Sequence, residues 1–447
     1  MILRGGTILS MKSGEAVFTG DIRIAQGRIV EIAPSILHRG TAEDEIDARG
    51  CLVLPGFVQA HIHLCQTLFR NMADDLELLD WLHQCIWPFE AWHSEESMRT
   101  SADLGLFELI AGGSTTILDM GSVQHTDSLF QAAEESGIRY FGGKCMMDYD
   151  DGHVPGPLLE SVDQSIDESR ALIERWHGAA DGRLCYALAP RFAVSCSDEL
   201  LRRVAELANE FDVLVHTHAS ENLGEIQAVK ERTGLDNIRY LDSVGLLSKK
   251  TVLAHCVHLA EGEAEILVER ETHVAHCPSS NLKLASGIAN VPRLLEKGIN
   301  VALGADGAPC NNRLDMFREM HLASLIQKPQ HGPMSMPARS VLEMATIRGA
   351  QALGMDQEIG SLEVGKLADI IILDPGSPVE LSGGDPYAQV VFHLGPMSVR
   401  DVMVAGRLLK RDFEMLTLDA AEIMENAESC WDKLKQSMPH LPKEQNS

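Results

Sequence analysis

Three short histidine-bearing segments and one aspartate carry side chains that can bind a metal ion. His61-Ile62-His63 closes the run Pro55-Gly56-Phe57-Val58-Gln59-Ala60. Side chains alternate along a strand, so the two imidazoles project to one face. His216-Thr217-His218 repeats the pattern with Glu221 just beyond it, and the apolar run from Val301 to Ala305 ends in Asp306. Singly, each of these residues reads as a satisfied polar group at a strand end. Together, His61, His63, His218 and Asp306 make three imidazoles and a carboxylate, a set that suits one divalent ion, zinc first and iron second.

A bound divalent ion lowers the pKa of its water to about 7, which makes a nucleophile available at neutral pH. To expel an amine from an aromatic amidine, a ring nitrogen must be protonated as water adds, and the departing nitrogen must then receive a proton. Glu221, close to the ion through His218, is placed for that shuttle. His255, in Ala254-His255-Cys256-Val257-His258, is expected to hold the attacking oxygen or polarise the amine, with Asp306 both ligand and catalytic group. His216 is expected as a buried support, His258 as a second-row or surface residue, and His276 as structural.

These residues need a frame that brings distant segments to one mouth. Strand-like runs near 53–63, 113–121, 139–147, 183–190, 213–220, 251–257, 272–278 and 300–306 alternate with helical patterns such as Asp198 to Asn209 and Val291 to Lys297. Eight such units predict an α/β fold, a (β/α)8 TIM barrel, whose active site lies at the C-terminal ends of the strands. Short β runs at both chain ends predict a small discontinuous β-sandwich domain from 1–54 and 357–415. The barrel then takes 55–356 and a C-terminal helical tail 416–447, with Pro439 to Ser447 polar and expected to fray.

Composition narrows the partners. The 447 residues are 23% charged and 45% hydrophobic with a formal net charge of −27, which repels phosphate backbones and anionic lipid. The expected partner is a small molecule, neutral or cationic, with no nucleic acid and no membrane. Ten cysteines without a Cys-x-x-Cys pair, no leader-like N-terminus and no long apolar run predict a reduced, cytoplasmic protein.

The chain resembles the amidohydrolase superfamily, in the branch of 5′-methylthioadenosine/S-adenosylhomocysteine deaminases and chlorotriazine hydrolases. The resemblance rests on Pro55-Gly56-Phe57 leading into His61-Ile62-His63, the His218-to-Glu221 segment, Ala254 to His258, Ser279 to Ile288, Gly304 to Asn312 and Gly360 to Asp374. His61 to Arg70, Lys144 to Asp148, Pro190 to Cys196 and Ala305 to Asn312 look most like the 5′-deoxyadenosine deaminase subgroup. The resemblance implies hydrolysis of 5′-deoxyadenosine or 5′-methylthioadenosine to the inosine analogue and ammonia, by a homo-oligomer. Binuclear members bridge two ions through a lysine carbamate on the fourth strand; Arg183 to Pro190 has no lysine, which implies one ion unless Lys144 intervenes.

Glu90 matches the family glutamate that accepts hydrogen bonds from ribose hydroxyls; the alternative is a solvated loop charge. Relatives that take S-adenosylhomocysteine grip its carboxylate with arginines near the third strand. Gly143 to His153 has no arginine and three aspartates, which favours an uncharged 5′ substituent. Gln66 and Arg191 also resemble guanine deaminases, where they would read a purine carbonyl. The alternatives are therefore a guanine or related purine or pterin base deaminase, then a chlorotriazine-type hydrolase. A non-catalytic scaffold would call for broken ligands, and all are intact.

Overall fold

The computed structural model describes residues 1–38, 44–150, 152–376 and 384–438. The polar end 439–447 and Asp151, one of the three aspartates noted above, lie outside the described residues.

Eight parallel strand positions form the expected barrel. In ring order they are Phe57–His63, Ser114–Asp119, Arg139–Gly142 with Cys145–Met146, Leu184–Pro190, Leu214–Ala219, Thr251–His255, His273–His276 and Val301–Leu303 with Asp306–Gly307. The eighth strand closes the ring in two pieces: Val301–Leu303 pairs with the seventh strand, and Asp306–Gly307 with the first.

Two strands expected to be continuous are broken, each at a close backbone approach. At Gly304 a Cβ would fall 2.6 Å from the His61 carbonyl oxygen; the Gln59 side chain accepts the Ala305 N–H there, at 3.1 Å. At Gly143 a Cβ would fall 2.2 Å from the Ala187 carbonyl oxygen. Only a residue without Cβ lets the chains pass this closely.

Amphipathic helices cover the outside. Asp198–Phe211 is capped by Ser197, whose side chain accepts from the Leu200 N–H, and buries Leu200, Leu201, Val204 and Leu207 on one stripe.

The first and last parts of the chain meet in a second sheet. Leu52–Pro55 runs parallel to Ile2–Ile8 and antiparallel to Ile370–Leu373, which pairs with Val399–Val404. Leu52–Pro55 then leads directly into the first barrel strand, so the second sheet fixes the entry of the segment carrying His61 and His63. A buried fork-to-carboxylate pair, Arg139 to Asp369 at 3.0 and 3.1 Å, ties the sheet to the barrel.

The C-terminal helix, Ala420–Ser437, buries Ile423, Ala427, Cys430 and Leu434 and lies against helix Glu95–Ala111. Among the described residues no helix is long and apolar enough to cross a membrane. All ten cysteines are free thiols.

Candidate active site

The strand ends bring His61, His63, His218 and Asp306 together, with one ligand-capable atom from each lying within 4.8 Å of the others. All four are buried. Asp306 Oδ1 is 3.3 Å from His61 Nε2 and 3.4 Å from His63 Nε2, and His63 Nε2 is 3.2 Å from His218 Nε2.

The other ring nitrogens of two of these histidines are engaged elsewhere, which aims the inner ones at a common point. His61 Nδ1 is 2.8 Å from His216 Nε2. His218 Nδ1 donates to the Arg191 carbonyl at 2.7 Å. Asp306 accepts from Ser280 Oγ at 2.6 Å and from the Gly307 N–H at 2.7 Å.

This donor set fits a metal ion. His61 Nε2 is buried with no hydrogen-bond partner, a cost that a cation would relieve. Burial holds the His63 and His218 imidazoles well below their usual range and lowers that of His61, so all three are neutral lone-pair donors. The Asp306 carboxyl is held well below the ordinary range: burial opposes ionisation, but the surrounding histidines, His61 foremost, outweigh it.

Beside these ligands stand Glu221 and His255, with Oε2 and Nε2 3.4 Å apart. Burial, then the charges of Asp306 and Glu225, push the Glu221 carboxyl well above its usual range. His255 Nδ1 faces Asn281 Oδ1 at 2.8 Å, so Nε2 turns toward Glu221 and, at 3.8 Å, Asp306 Oδ2. Ser286 Oγ lies 3.5 Å from Glu221 Oε1.

The backbone is contorted at these positions: Ser220, His255, Cys256 and Asp306 have φ of +53°, +75°, +46° and +62°. Non-glycine residues rarely adopt such angles, and they concentrate where the surroundings force a side chain into a working position.

A narrow cavity opens onto this cluster. His63, His218, Glu221, His255 and Asp306 form its polar side, with Gln66 and Arg191 at one edge. Leu78, Trp81, Leu82, Phe192 and Leu284 form an apolar side, the mixture expected for a flat aromatic ligand with few polar anchors.

Glu90 is not a solvated loop charge. Its side chain is 8% exposed and accepts from Arg191 Nη2 at 3.1 Å and Gln66 Nε2 at 2.8 Å. Gln66 and Arg191 line the cavity, and Glu90 stands behind them.

The other histidines fall near their expected places. His216 is buried against His61. His258 donates through Nε2 to the Ser286 carbonyl at 2.6 Å, which steadies Ser286 beside Glu221. Burial pushes the His276 imidazole down to about 3, so it stays neutral.

Lys144 is fully buried and ion-paired with Glu160 and Glu168, each at 2.8 Å. Its nitrogen is therefore committed to carboxylates rather than to a bridge between two ions. The aspartates of the third-strand loop are also occupied: Asp148 accepts from the Ser197 N–H at 2.7 Å and Asp150 from the Gly152 N–H at 2.7 Å. Neither lines the cavity, so the case against a carboxylate-bearing 5′ group rests on the missing arginine alone.

Sequence reasoning gave no role to Ser280 and Asn281, which hold Asp306 and His255. They sit on the short helix Pro278–Lys283, within the Ser279-to-Ile288 run that carries the family resemblance. Glu319 in turn accepts from the Ser279 N–H at 3.1 Å and from Asn311 Nδ2 at 3.0 Å.

Residues 52–409 match the model of the amidohydrolase family. The chain is 42% identical over 411 residues to a 5′-deoxyadenosine deaminase of Methanothermobacter thermautotrophicus, covering 92% of this chain and 93% of that protein. It is 38% identical over 429 residues to a 5-methylthioadenosine/S-adenosylhomocysteine deaminase of Syntrophobacter fumaroxidans, covering 95% and 96%. An adenosine deaminase from Xanthomonas campestris with bound zinc superposes with a TM-score of 0.88 at 28% identity, over 97% of this chain and 98% of that one. With the ligand cluster at the mouth of the barrel and a family match spanning most of its length, the chain belongs to the amidohydrolase family.

Proposed function

We propose that the protein hydrolyses the 6-amino group of a 5′-modified adenosine, 5′-deoxyadenosine first and 5′-methylthioadenosine second, to give the inosine analogue and ammonia. The observation that carries this reading is one cavity joining the His61, His63, His218 and Asp306 cluster to the Glu221–His255 pair beneath an apolar wall.

The ion that these four residues would hold is zinc, as in the zinc-bound structural relative, and it would supply a water activated at neutral pH. Glu221 takes one proton of the attacking water and delivers it to the ring nitrogen, then takes the second from the added hydroxyl and passes it to the departing amine, which leaves as ammonia as the C–N bond breaks and the carbonyl forms. His255, oriented by Asn281, steadies the attacking oxygen through Nε2. Asp306 keeps its negative charge throughout and draws His255 toward the reacting centre.

Glu90 supports a nucleoside over a free base. It occupies both Arg191 and Gln66, which a guanine carbonyl would otherwise engage. The net charge of −27 supports a small neutral or cationic partner rather than nucleic acid, and the ten free cysteines support a reducing compartment, the cytoplasm. A homo-oligomer is proposed by analogy with the family.

The test is to incubate zinc-loaded protein separately with 5′-deoxyadenosine, 5′-methylthioadenosine, adenosine, S-adenosylhomocysteine and guanine, and to follow ammonia. Turnover of the 5′-modified nucleosides with little on guanine is the expected result. Turnover of guanine alone would overturn the reading, and silence on all five would redirect it to pterins and triazines.

A further inference from the structure

The metal-side residues sit on strands held by the barrel ladder, but Gln66 does not. It lies on the 3-10 segment Leu64–Phe69, whose backbone is held by side chains reaching in from elsewhere. Ser101 Oγ donates to the Leu64 carbonyl at 2.8 Å and accepts from the Leu68 N–H at 3.2 Å. His93 Nε2 donates to the Cys65 carbonyl at 2.6 Å. The Leu68 carbonyl accepts from Trp431 Nε1 at 2.7 Å, a residue near the far end of the chain on the helix Ala420–Ser437.

That helix also shares an apolar cluster with the cavity wall. Ala427, Cys430 and Leu434 belong to the same packed group as Leu78, Trp81, Leu82 and Phe192. The placement of Gln66 leaves little slack. A Cβ on Gly307 would lie 2.0 Å from Gln66 Oε1, so the amide rests against the residue that follows Asp306. Gln66 Oε1 is buried without a hydrogen-bond partner, and Gln66 is one of the residues that line the cavity.

We propose that Trp431 is a positioning residue for substrate: by fixing the Leu68 carbonyl it sets the Leu64–Phe69 turn, and with it the Gln66 amide at the cavity edge. The proposal rests on the deaminase reading for its kinetic form. It assigns the C-terminal helix to substrate affinity and leaves the metal and proton chemistry to the barrel.

The test compares Trp431→Phe with the full-length zinc-loaded protein. Phenylalanine keeps an aromatic ring against the cluster and removes the N–H donor. KM for 5′-deoxyadenosine is expected to rise roughly three- to tenfold, the effect of one lost hydrogen bond passed to the ligand, with kcat within about twofold and metal content unchanged. Amide hydrogen exchange across residues 64–70 is expected to quicken while the barrel strands stay protected.

Lys433→Ala, on the same helix as Trp431, breaks the surface pair with Glu96 of helix Glu95–Ala111 without touching the turn, and is expected to leave KM unchanged. An unmoved KM with unmoved exchange in Trp431→Phe overturns the proposal. So does an equal rise in KM in Lys433→Ala, or a joint loss of kcat and metal in Trp431→Phe. If the wild type is inactive on 5′-deoxyadenosine the functional reading fails, and exchange across 64–70 decides this proposal by itself: quickening supports it and no change overturns it.

Discussion

Replacing Glu221 with glutamine separates proton transfer from metal binding. The side chain is buried and touches Ser286 and His255 at 3.5 and 3.4 Å. Glutamine has nearly the same shape and can keep both contacts, but an amide cannot take a proton from water and hand it on. Glu221 is not one of the four residues whose ligand atoms converge, so the ion should remain. A positioned acid-base is worth about 10²–10⁴ in rate, equivalent to roughly 3–5.5 kcal/mol of barrier. Glu221→Gln is therefore expected to lose that factor in kcat, with KM within a few-fold and one ion per chain retained. Steady-state ammonia release and elemental analysis of the same preparation would measure both. A variant turning over within about tenfold of wild type would refute the assigned role, and loss of the ion would show that Glu221 belongs to the ligand set instead.

Two further tests concern the supports behind the site. Glu319 is fully buried and its carboxyl is pushed up to about 7 by that burial, against an ordinary value of 4.5. The folded state keeps its proton across this window while the unfolded state has lost it, so stability falls as pH rises from 4.5 through 7. The full cost is about 3 kcal/mol at the upper end. Urea denaturation at pH 5 and pH 8 should show Glu319→Gln losing less stability between the two values than wild type, by an amount of that order. Equal losses would refute it. Arg139→Leu leaves Asp369 buried without the guanidinium that now grips it at 3.0 and 3.1 Å. Removing one partner of such a pair costs about 3–5 kcal/mol, so a change below about 1 kcal/mol in chemical denaturation would mean that the sheet and barrel are held together by other contacts.

The parts of this molecule that were legible in its sequence share a physical cause. His61, His63, His218 and Asp306 end apolar runs, and the alternation of a strand dictates on which face each must lie. The barrel then dictates that all strand ends of one sense share a mouth, so the cluster follows from local pattern plus one topological rule. The strand breaks were less visible, because Gly304 and Gly143 interrupt their strands through approaches to His61 and Ala187, residues remote in the chain. Ser280, Asn281 and Glu319 escaped for the same reason: a serine, an asparagine or a buried glutamate has no period of its own, and its role exists only once Asp306, His255 and Ser279 are beside it. Glu90 is the instructive middle case. Its residue type allowed either a ribose acceptor or a solvated charge, and the burial that rejects the solvated charge comes with Gln66, far along the same connection after the first barrel strand, and Arg191, just after the fourth. Chemistry written along one strand can be read from sequence, whereas chemistry assembled between loops becomes visible only when the fold brings its partners into contact.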